Sequence, residues 1–365
     1  MKSVSRLLCV LFLFVAGCRK STPPIIPTNV EKSIKIGAEF SVGATLGLQD
    51  WNDVAVGVIE NSATRLRLIT AAGNKTIEIS GTDIKNMTQY RNLLLPSGLP
   101  EIDSNYIGVS SIIRDKNGKL YGVFHGEQYD GSYLPGGVPG FYASVGLVTS
   151  SNDGSTFIKQ SGTLIPSFYP IQVNNGAPDG GIGEPCMLYS KDSSHVFVYY
   201  TDHNRMGMGV NIAMARFNVI NGVPDFSQYY KLNNNYEFVP SNIRSKQLVV
   251  GGLEADAIFP QVTYNKFIGK YVMVYTLNAW REYSLGVLKN SGLYIRYSND
   301  GISWPENQVQ LIKDYGIYWA PNTPFTWHPS IIYSNETGSS GYLLYSRGPT
   351  TQGTHQMHAR PFVFE

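Results

Sequence analysis

Charge is scarce in this chain of 365 residues, of which Asp, Glu, Lys and Arg make up 15%. The 29 basic residues nearly balance the 27 acidic ones, and the formal net charge is +2. Nucleic-acid recognition depends on clustered Lys and Arg that neutralise phosphates. Since the basic residues here are scattered, the sequence predicts no nucleic-acid partner.

Cysteine is equally rare, with three copies at Cys9, Cys18 and Cys186. The first two lie in or beside an N-terminal leader, so Cys186 is left alone on an apolar stretch. A disulfide needs two cysteines, and an isolated one of this kind is typical of a small core residue. We therefore predict no intrachain disulfide.

The N-terminal apolar run, 7–15, is too short for a membrane-spanning helix, which needs roughly 20 residues. It follows Lys2 and Arg6 and precedes Ala16-Gly17-Cys18, a pattern typical of a secretory signal. VAGC at 15–18 resembles the lipobox of bacterial lipoproteins, whose cysteine is lipidated. We predict a signal peptide over 1–17, lipidation of Cys18 and a Pro-rich tether over 18–32, which would anchor the protein in the bacterial cell envelope. A plain secretory signal is the alternative.

No amphipathic helical pattern of convincing length occurs in the chain. Instead there are 24 Tyr and 37 Gly, with many short runs of Val, Ile and aromatic residues. This composition favours an all-β fold with frequent turns.

One hairpin pattern recurs at a nearly constant step. Its clearest copy is GEPCMLYSKDSSHVFVYYTD at 183–202, two strand-length runs around a polar turn. Related copies begin at 110, 259 and 328, and alignment places Ser110, Pro185, Pro260 and Pro329 in one column. The steps are 185−110 = 75, 260−185 = 75 and 329−260 = 69 residues. Such a step indicates a repeat architecture.

A second motif occurs in two of the repeats: SNDGSTF at 151–157 matches SNDGISW at 298–304. Asn-Asp-Gly favours a turn with positive φ at glycine, Ser and Asp can bond the amides of the turn, and the aromatic packs beneath it. We interpret this motif as structural.

Strand-like segments around the hairpins complete five units, with predicted bounds of about 33–97, 98–170, 180–249, 251–315 and 316–365. Four antiparallel strands per unit, repeated five times, predict an all-β, five-bladed β-propeller. A β-sandwich followed by a second β domain is the alternative, but it does not explain the constant step.

The proline-led hairpin, the S-N-D-G-x-x-W turn and the five units resemble the five-bladed glycoside hydrolases of the arabinanase and β-xylosidase group, family 43, over roughly residues 35–365. The resemblance implies hydrolysis of a glycosidic bond in an oligosaccharide or polysaccharide. It implies no required cofactor, but a structural cation in the central channel.

The position before the proline column reads Val109, Glu184, Phe259 and His328. In a propeller the inner strands start near the ligand face, and a carboxylate there is costly unless it is paired or solvated. Glu184-Pro185 also matches the acidic residue followed by proline that is common in the family. Glu184 is therefore a predicted catalytic carboxylate; the alternative is a structural ion pair within a blade.

His328 resembles the last-blade histidine of the family, which helps to hold a central cation or its waters. Trp327 and Trp319 are predicted sugar platforms, because tryptophan faces stack on sugar rings. Core packing is the alternative for all three.

Glycosidic hydrolysis needs a second carboxyl group. Glu254 and Asp256 precede the fourth-unit proline, but the family's general acid lies two residues before that proline, where this chain has Ile258. Asp53, beside Asp50, is the candidate base. The family places its base on the inner strand of the first blade, where this chain offers only Glu39.

Four polar residues at strand exits are predicted to line the rim and contact substrate: His125, Glu127, Asp202 and Arg205. We predict a monomeric, envelope-anchored glycoside hydrolase that reaches the membrane through its lipid anchor alone. The alternatives are a non-catalytic propeller that binds a glycan or a protein, and a purely structural lipoprotein.

Overall fold

A computed structural model describes residues 33–98, 100–129, 131–134, 138–168, 172–174, 177–203, 211–240, 242–249, 256–278, 291–305, 308–314, 325–348 and 355–365. The predicted signal, lipidation site Cys18 and tether lie outside the described residues. Within the described ranges, no helix is long and apolar enough to cross a membrane.

The described chain is built of short strands. In chain order they are β1 (Ile34–Ile36), β2 (Phe40–Ser41), β3 (Gly57–Asn61), β4 (Leu66–Ala72), β5 (Lys75–Gly81), β6 (Met87–Leu94), β7 (Tyr106–Arg114), β8 (Leu120–Gln128), β9 (Tyr133–Leu134), β10 (Val138–Pro139), β11 (Tyr142–Ser150), β12 (Ile158–Lys159), β13 (Gln172–Asn174), β14 (Ala177–Asp179), β15 (Ile182–Tyr189), β16 (His195–Asp202), β17 (Asn211–Ile220), β18 (Val223–Leu232), β19 (Phe238–Val239), β20 (Asp256–Asn265), β21 (Lys270–Asn278), β22 (Gly292–Ser298), β23 (Val309–Lys313), β24 (Phe325–Tyr333), β25 (Ser340–Gly348) and β26 (Gln356–Phe364). Two 3₁₀ helices, Ala44–Leu46 and Ile84–Asn86, interrupt them.

These strands form five antiparallel blades. The blades are β3–β6; β7, β8, β11 and β12; β15–β19; β20–β23; and β24–β26 with β1 and β2, while β9–β10 and β13–β14 form two small hairpins. The first strands β3, β7, β15, β20 and β24 pack side by side around a central channel. The predicted all-β, five-bladed β-propeller is confirmed, although the third blade carries a short fifth strand.

The hydrophobic core is divided among the gaps between neighbouring blades. In each gap the two facing sheets contribute buried aliphatic and aromatic side chains, as where Ile69 of the first blade and Phe124 of the second belong to one cluster. Four further clusters fill the other gaps. Cys186, 1% exposed, belongs to the cluster between the third and fourth blades, in agreement with its predicted role as a core residue.

Hydrogen bonds between inner strands hold the blades around the channel. A side chain of one blade accepts the hydrogen bond of a backbone N–H of the next: Ser111 Oγ from Met187 (2.7 Å), Cys186 Sγ from Val262 (3.2 Å), Gln261 Oε1 from Ile331 (3.1 Å) and Ser330 Oγ from Val56 (2.7 Å). We call these four bonds the acceptor chain. It aligns equivalent residues of all five blades.

The N-terminal strands close the propeller in a way that differs from the predicted blade bounds. Residues 33–41 were predicted to belong to the first blade, but β1 and β2 pair with β26 in the fifth. Glu39, between them, accepts hydrogen bonds from Tyr345 and from Arg347 Nη1 (2.5 Å). Glu39 thus joins the two ends of the described chain, and it is not part of an inner strand.

The two S-N-D-G turns have the structural role expected of them. Gly154 and Gly301 adopt positive φ (75° and 76°), and Ser298 Oγ accepts the Gly301 N–H (2.9 Å). Each turn also docks on the preceding blade through backbone carbonyls: Arg67 donates to Asp153 O, and Tyr199 donates to Gly301 O.

The acceptor chain predicts a stability cost at the seam between the fifth and first blades. Ser330→Ala leaves the buried Val56 N–H without its acceptor, which should lower the free energy of unfolding by about 1–3 kcal/mol. Urea denaturation measures the change, with Ser155→Ala, which alters an exposed serine, as the matched control. Equal stability of the two variants would show that the bond contributes nothing.

Candidate functional site

Three side chains converge at one mouth of the channel from the position before the blade proline. Glu184, Phe259 and His328 all adopt positive φ (44°, 57° and 46°), each at a bulge of its inner strand. Such φ values are strained for residues other than glycine and often occur at functional sites. The rings of Phe259 and His328 lie 4.1 Å apart. Since His328 also acts electrostatically on Glu184, the column defines one site.

The acceptor chain adds Asp53 to this column. Val56 takes the place that Met187, Val262 and Ile331 take in the other blades. Three residues earlier in each blade stand Asp53, Glu184, Phe259 and His328. Asp53 Oδ1 lies 3.7 Å from His328 Nε2, so blades one and five meet here.

Glu184 is buried, with 7% of its surface exposed, and its carboxylate lies beside His125 of the second blade and His203 of the third. His203 Nε2 lies 2.7 Å from Oε2, and His125 Nδ1 lies 3.7 Å from Oε1. Burial raises the pKa of Glu184, but His203, His125 and His328 together outweigh this effect and lower the pKa to about 2. Glu184 is therefore ionised near neutral pH.

His125 links Glu184 to Glu127. The Glu184 N–H donates to Nδ1 (3.1 Å), and Nε2 lies 2.9 Å from Glu127 Oε1. Burial lowers the pKa of His125, while Glu184, Glu127 and Asp53 raise it to about 9. The amide opposes protonation, because Nδ1 accepts its hydrogen bond only while unprotonated. The geometry thus favours a proton on Nε2, shared with Glu127.

Asp53 has the opposite electrostatic environment. Burial, followed by the negative charges of Glu127 and Asp50, raises the pKa of Asp53 well above its usual value, and His125 opposes this shift only in part. The Tyr106 hydroxyl donates to the backbone carbonyl of Asp53 (2.7 Å) and fixes this segment. The side chain of Asp53 is 28% exposed.

Polar atoms without hydrogen-bond partners surround Asp53. They are Asp50 Oδ1, Asn52 Oδ1, His328 Nδ1 and both ring nitrogens of His355. Burial lowers the pKa of His328 to about 3 and that of His355 to about 4, so both rings are neutral near neutral pH. Buried polar groups are nearly always paired in folded proteins. A water molecule or the polar group of a ligand would satisfy these atoms.

Aromatic rings form the walls of the site. Trp327 packs against Phe259 (5.8 Å) and Phe325 (4.9 Å), and Phe141 contacts the rings of His125 (6.4 Å) and His203 (5.8 Å). Apolar walls beside a few charged groups are typical of ligand sites.

Among the predicted site residues, the structure brings together Asp53, Glu184, His328, Trp327, His125 and Glu127. Asp202 ends β16, and its charge acts on Lys231 and Tyr142. Asp256 begins β20 and pairs with Asn278 through the backbone, while its side chain lies outside the described part. Glu254, Trp319 and Arg205 also lie outside the described residues.

No group of three or more His, Cys, Asp or Glu side chains in the described ranges has an arrangement that could hold a metal ion. The predicted cation at His328 therefore stays a prediction.

Solved structures share this architecture. The chain is similar to a thermostable family-43 glycoside hydrolase (TM-score 0.52, 12% identity, 89% of this chain and 92% of that chain), to an α-L-arabinofuranosidase from Lactobacillus brevis (0.54, 11%, 88% and 92%) and to an endo-arabinase from Bacteroides thetaiotaomicron (0.52, 10%, 89% and 97%). The chain has the fold of a family-43 glycoside hydrolase. At these identities the likeness shows the fold alone. No protein-family model matches the sequence, and neither does any curated protein sequence.

Asn52, Tyr106 and His355 were not predicted as site residues. Asn52 donates to His328 O (3.1 Å) across 276 residues of sequence, and a short-range pattern carries no trace of such a contact. For His355 the sequence carried a weak indication of a position near the channel, since it directly precedes the last strand-like segment.

The low pKa of Glu184 predicts an acid-dependent loss of stability. The carboxyl group titrates at about 2 when folded and at 4.5 when unfolded, so the unfolded state binds more protons between these values. The resulting stabilisation, on the order of 3 kcal/mol, is complete above the unfolded pKa and is lost as the pH falls towards 2.

Urea denaturation of the wild type and of Glu184→Gln between about pH 6 and pH 2 measures this contribution. The stability difference should shrink as the pH falls, because Gln does not titrate. Glu101→Gln, at an exposed position, is the control and should show no such trend. A constant difference for Glu184→Gln would contradict the predicted pKa.

Proposed function

We propose that this protein hydrolyses a glycosidic bond of an oligosaccharide, with Asp53 as the proton donor and Glu184 as the ionised carboxylate. One observation carries the proposal: the two carboxyl groups occupy the same position in different blades, and their environments move their pKa values in opposite directions. Such a separation is how one site provides both an acid and a negative charge.

The proposed roles follow from the protonation states. Glycosidic cleavage passes through a transition state with positive charge on the sugar ring, and the leaving oxygen needs a proton. Asp53, with its raised pKa, retains a proton to give. Glu184, held by His203, provides a negative charge that stabilises the sugar cation. Water adds to the ring carbon of this cation, and the proton that the water loses restores the acid form of Asp53. Glu254 and Asp256 are the alternative partners for Glu184.

The walls of the site support a sugar as the substrate. Phe259 and Trp327 offer ring faces, and Asn52, Asp50 and the neutral histidines offer partners for hydroxyl groups. Two structures of the same fold are described as an arabinofuranosidase and an endo-arabinase. Arabinofuranosides are therefore the first substrates to test.

We also propose that the lipobox-like VAGC anchors the mature protein at Cys18 in the bacterial cell envelope, with 18–32 as the tether. This anchor would place the propeller beside extracellular or periplasmic glycans. Palmitate labelling of the wild type, compared with Cys18→Ser, tests this point.

Leaving-group dependence tests the two roles. Asp53→Asn should slow the release of a sugar leaving group by about 10²–10⁴-fold, the usual contribution of a general acid. It should slow the release of dinitrophenolate far less, because that leaving group needs no proton. Glu184→Gln should slow both substrates, because both need the negative charge. Initial rates on an arabino-oligosaccharide and on the dinitrophenyl glycoside supply the comparison.

Asp153→Asn removes an exposed carboxylate in a structural turn and is the matched control, with both rates expected to stay unchanged. An equal loss on both substrates for Asp53→Asn would refute its role as the acid. Full turnover by Glu184→Gln would remove Glu184 from the mechanism. Sugar binding by a wild type that hydrolyses no glycoside would favour the non-catalytic propeller.

A further inference from the structure

A cavity of about 340 Å³ lies between the second and third blades. Ligand-binding cavities commonly enclose roughly 300–1,000 Å³, so this one has room for a small molecule or for one unit of a larger one. The start of β11 and the segment 163–168 line it from the second blade, and Ile182 and Asn242 line it from the side of the third. The roles proposed above for Asp53 and Glu184 make no use of this cavity.

The cavity adjoins the candidate site at the channel mouth. Ile182 lines the cavity, and Glu184 of the site follows two residues later on the same strand, β15. On the side of the second blade, Tyr142 lines the cavity, while the preceding Phe141 contacts the rings of the two histidines beside Glu184. Since neighbouring residues of both blades serve the two places, the cavity and the site are next to each other.

A buried lysine fixes two walls of the cavity. Lys231 is 1% exposed, and its Nζ donates to Pro166 O (2.7 Å) and to Ile243 O (3.4 Å). Pro166 lies two residues before Phe168, and Ile243 directly follows Asn242. A buried ammonium group is costly without such acceptors, so this pairing holds both wall segments in place. Walls that are already ordered lower the entropic cost of binding.

The lining is aromatic and polar, and it includes no charged side chain among the residues that the structure describes. Tyr142 and Phe168, the latter 41% exposed, offer aromatic rings. Hydroxyl groups and an amide come from Ser144, Thr163 and Asn242. A neutral sugar complements this combination, because its C–H groups pack on aromatic faces and its hydroxyls exchange hydrogen bonds. A charged ligand would find no counterion in this lining, and an uncompensated buried charge is costly.

We propose that this cavity is a subsite for a neutral sugar unit of the oligosaccharide substrate, which would reach from Glu184 across the second blade. The proposal rests on the proposed function for the reacting end of the chain, whereas sugar binding in the cavity is measurable without hydrolysis. It narrows the substrate class to neutral oligosaccharides long enough to occupy both places.

Titration calorimetry with a short and a long chain, arabinobiose and arabinopentaose, tests the subsite. Each protein also carries Glu184→Gln, so that the chains are not cleaved during the measurement. Without a further substitution, the pentaose should bind about tenfold more tightly than the biose, a difference of roughly 1.4 kcal/mol. Phe168→Ala should remove this gain and leave the affinity for the biose unchanged. Since Phe168 is partly exposed, the variant should fold.

A second variant and a matched control complete the binding experiment. Asn242→Ala, on another wall, should weaken binding of the pentaose alone by about threefold, the effect of one lost hydrogen bond. Phe267→Ala is the control, because this phenylalanine is similarly exposed (37%) but lies on the turn between β20 and β21, at the far end of β20 from Phe259. Equal affinities for the two chains, no binding of either, or a pentaose affinity that neither cavity variant changes would overturn the proposal.

Kinetics separate this proposal from the proposed function. For an active protein with Glu184 intact, Phe168→Ala should raise KM for arabinopentaose about tenfold with little change in kcat, and should leave both constants for arabinobiose unchanged. If kcat/KM is the same for both chains and Phe168→Ala does not alter it, the subsite is refuted while the proposed function stands. If the wild type hydrolyses nothing but Phe168→Ala abolishes the tighter binding of the pentaose, the proposed function fails while the subsite stands.

Discussion

The hydrogen bonds of the acceptor chain connect inner strands that are far apart in sequence. Each bond joins an inner strand of one blade to the next blade, and the last of them joins Ser330 in the fifth blade to Val56 in the first. Because the bonded amide has the same place in each blade, the residue three positions earlier is brought to the same level of the channel. Asp53, Glu184 and His328 become neighbours for this reason, and the electrostatics of the site depend on it.

Burial makes the identity of the nearest partner decisive for each carboxyl group. A charge removed from water is tolerated only where an opposite charge or a hydrogen-bond donor compensates for it. Glu184 has two histidines as compensation, whereas Asp53 faces further carboxylates at Glu127 and Asp50. The same structural position thus has a lowered carboxyl pKa in the third blade and a raised one in the first.

Much of the fold was predictable because propeller blades repeat their local chemistry. The steps between the prolines located four of the five inner strands and placed Glu184, Phe259 and His328 in one column. The inner strand of the first blade was not recognised by this alignment, because Val54 stands at the position of the proline and Ala55 at that of the acceptor residue. The strands at 34–41 were assigned to the wrong blade, since closure by the chain ends leaves no local pattern. The contact between His203 and Glu184 was not predictable, because it depends on how β15 and β16 pair.

The first blade departs from the repeat at the place where the candidate chemistry lies. Ala55 has no side-chain acceptor, so the acceptor chain is open between the first and second blades. Gly57 instead allows close packing there, since an added Cβ atom would lie 3.0 Å from Ser111 Cα, and Thr76 Oγ1 accepts the N–H of Val109 (3.1 Å). The segment ahead of β3 is therefore held by other contacts: Tyr106 to Asp53 and Asn52 to His328. The bond from Val56 to Ser330 still brings Asp53 level with Glu184 and His328, and these other contacts fix the segment that carries Asp50 and Asp53.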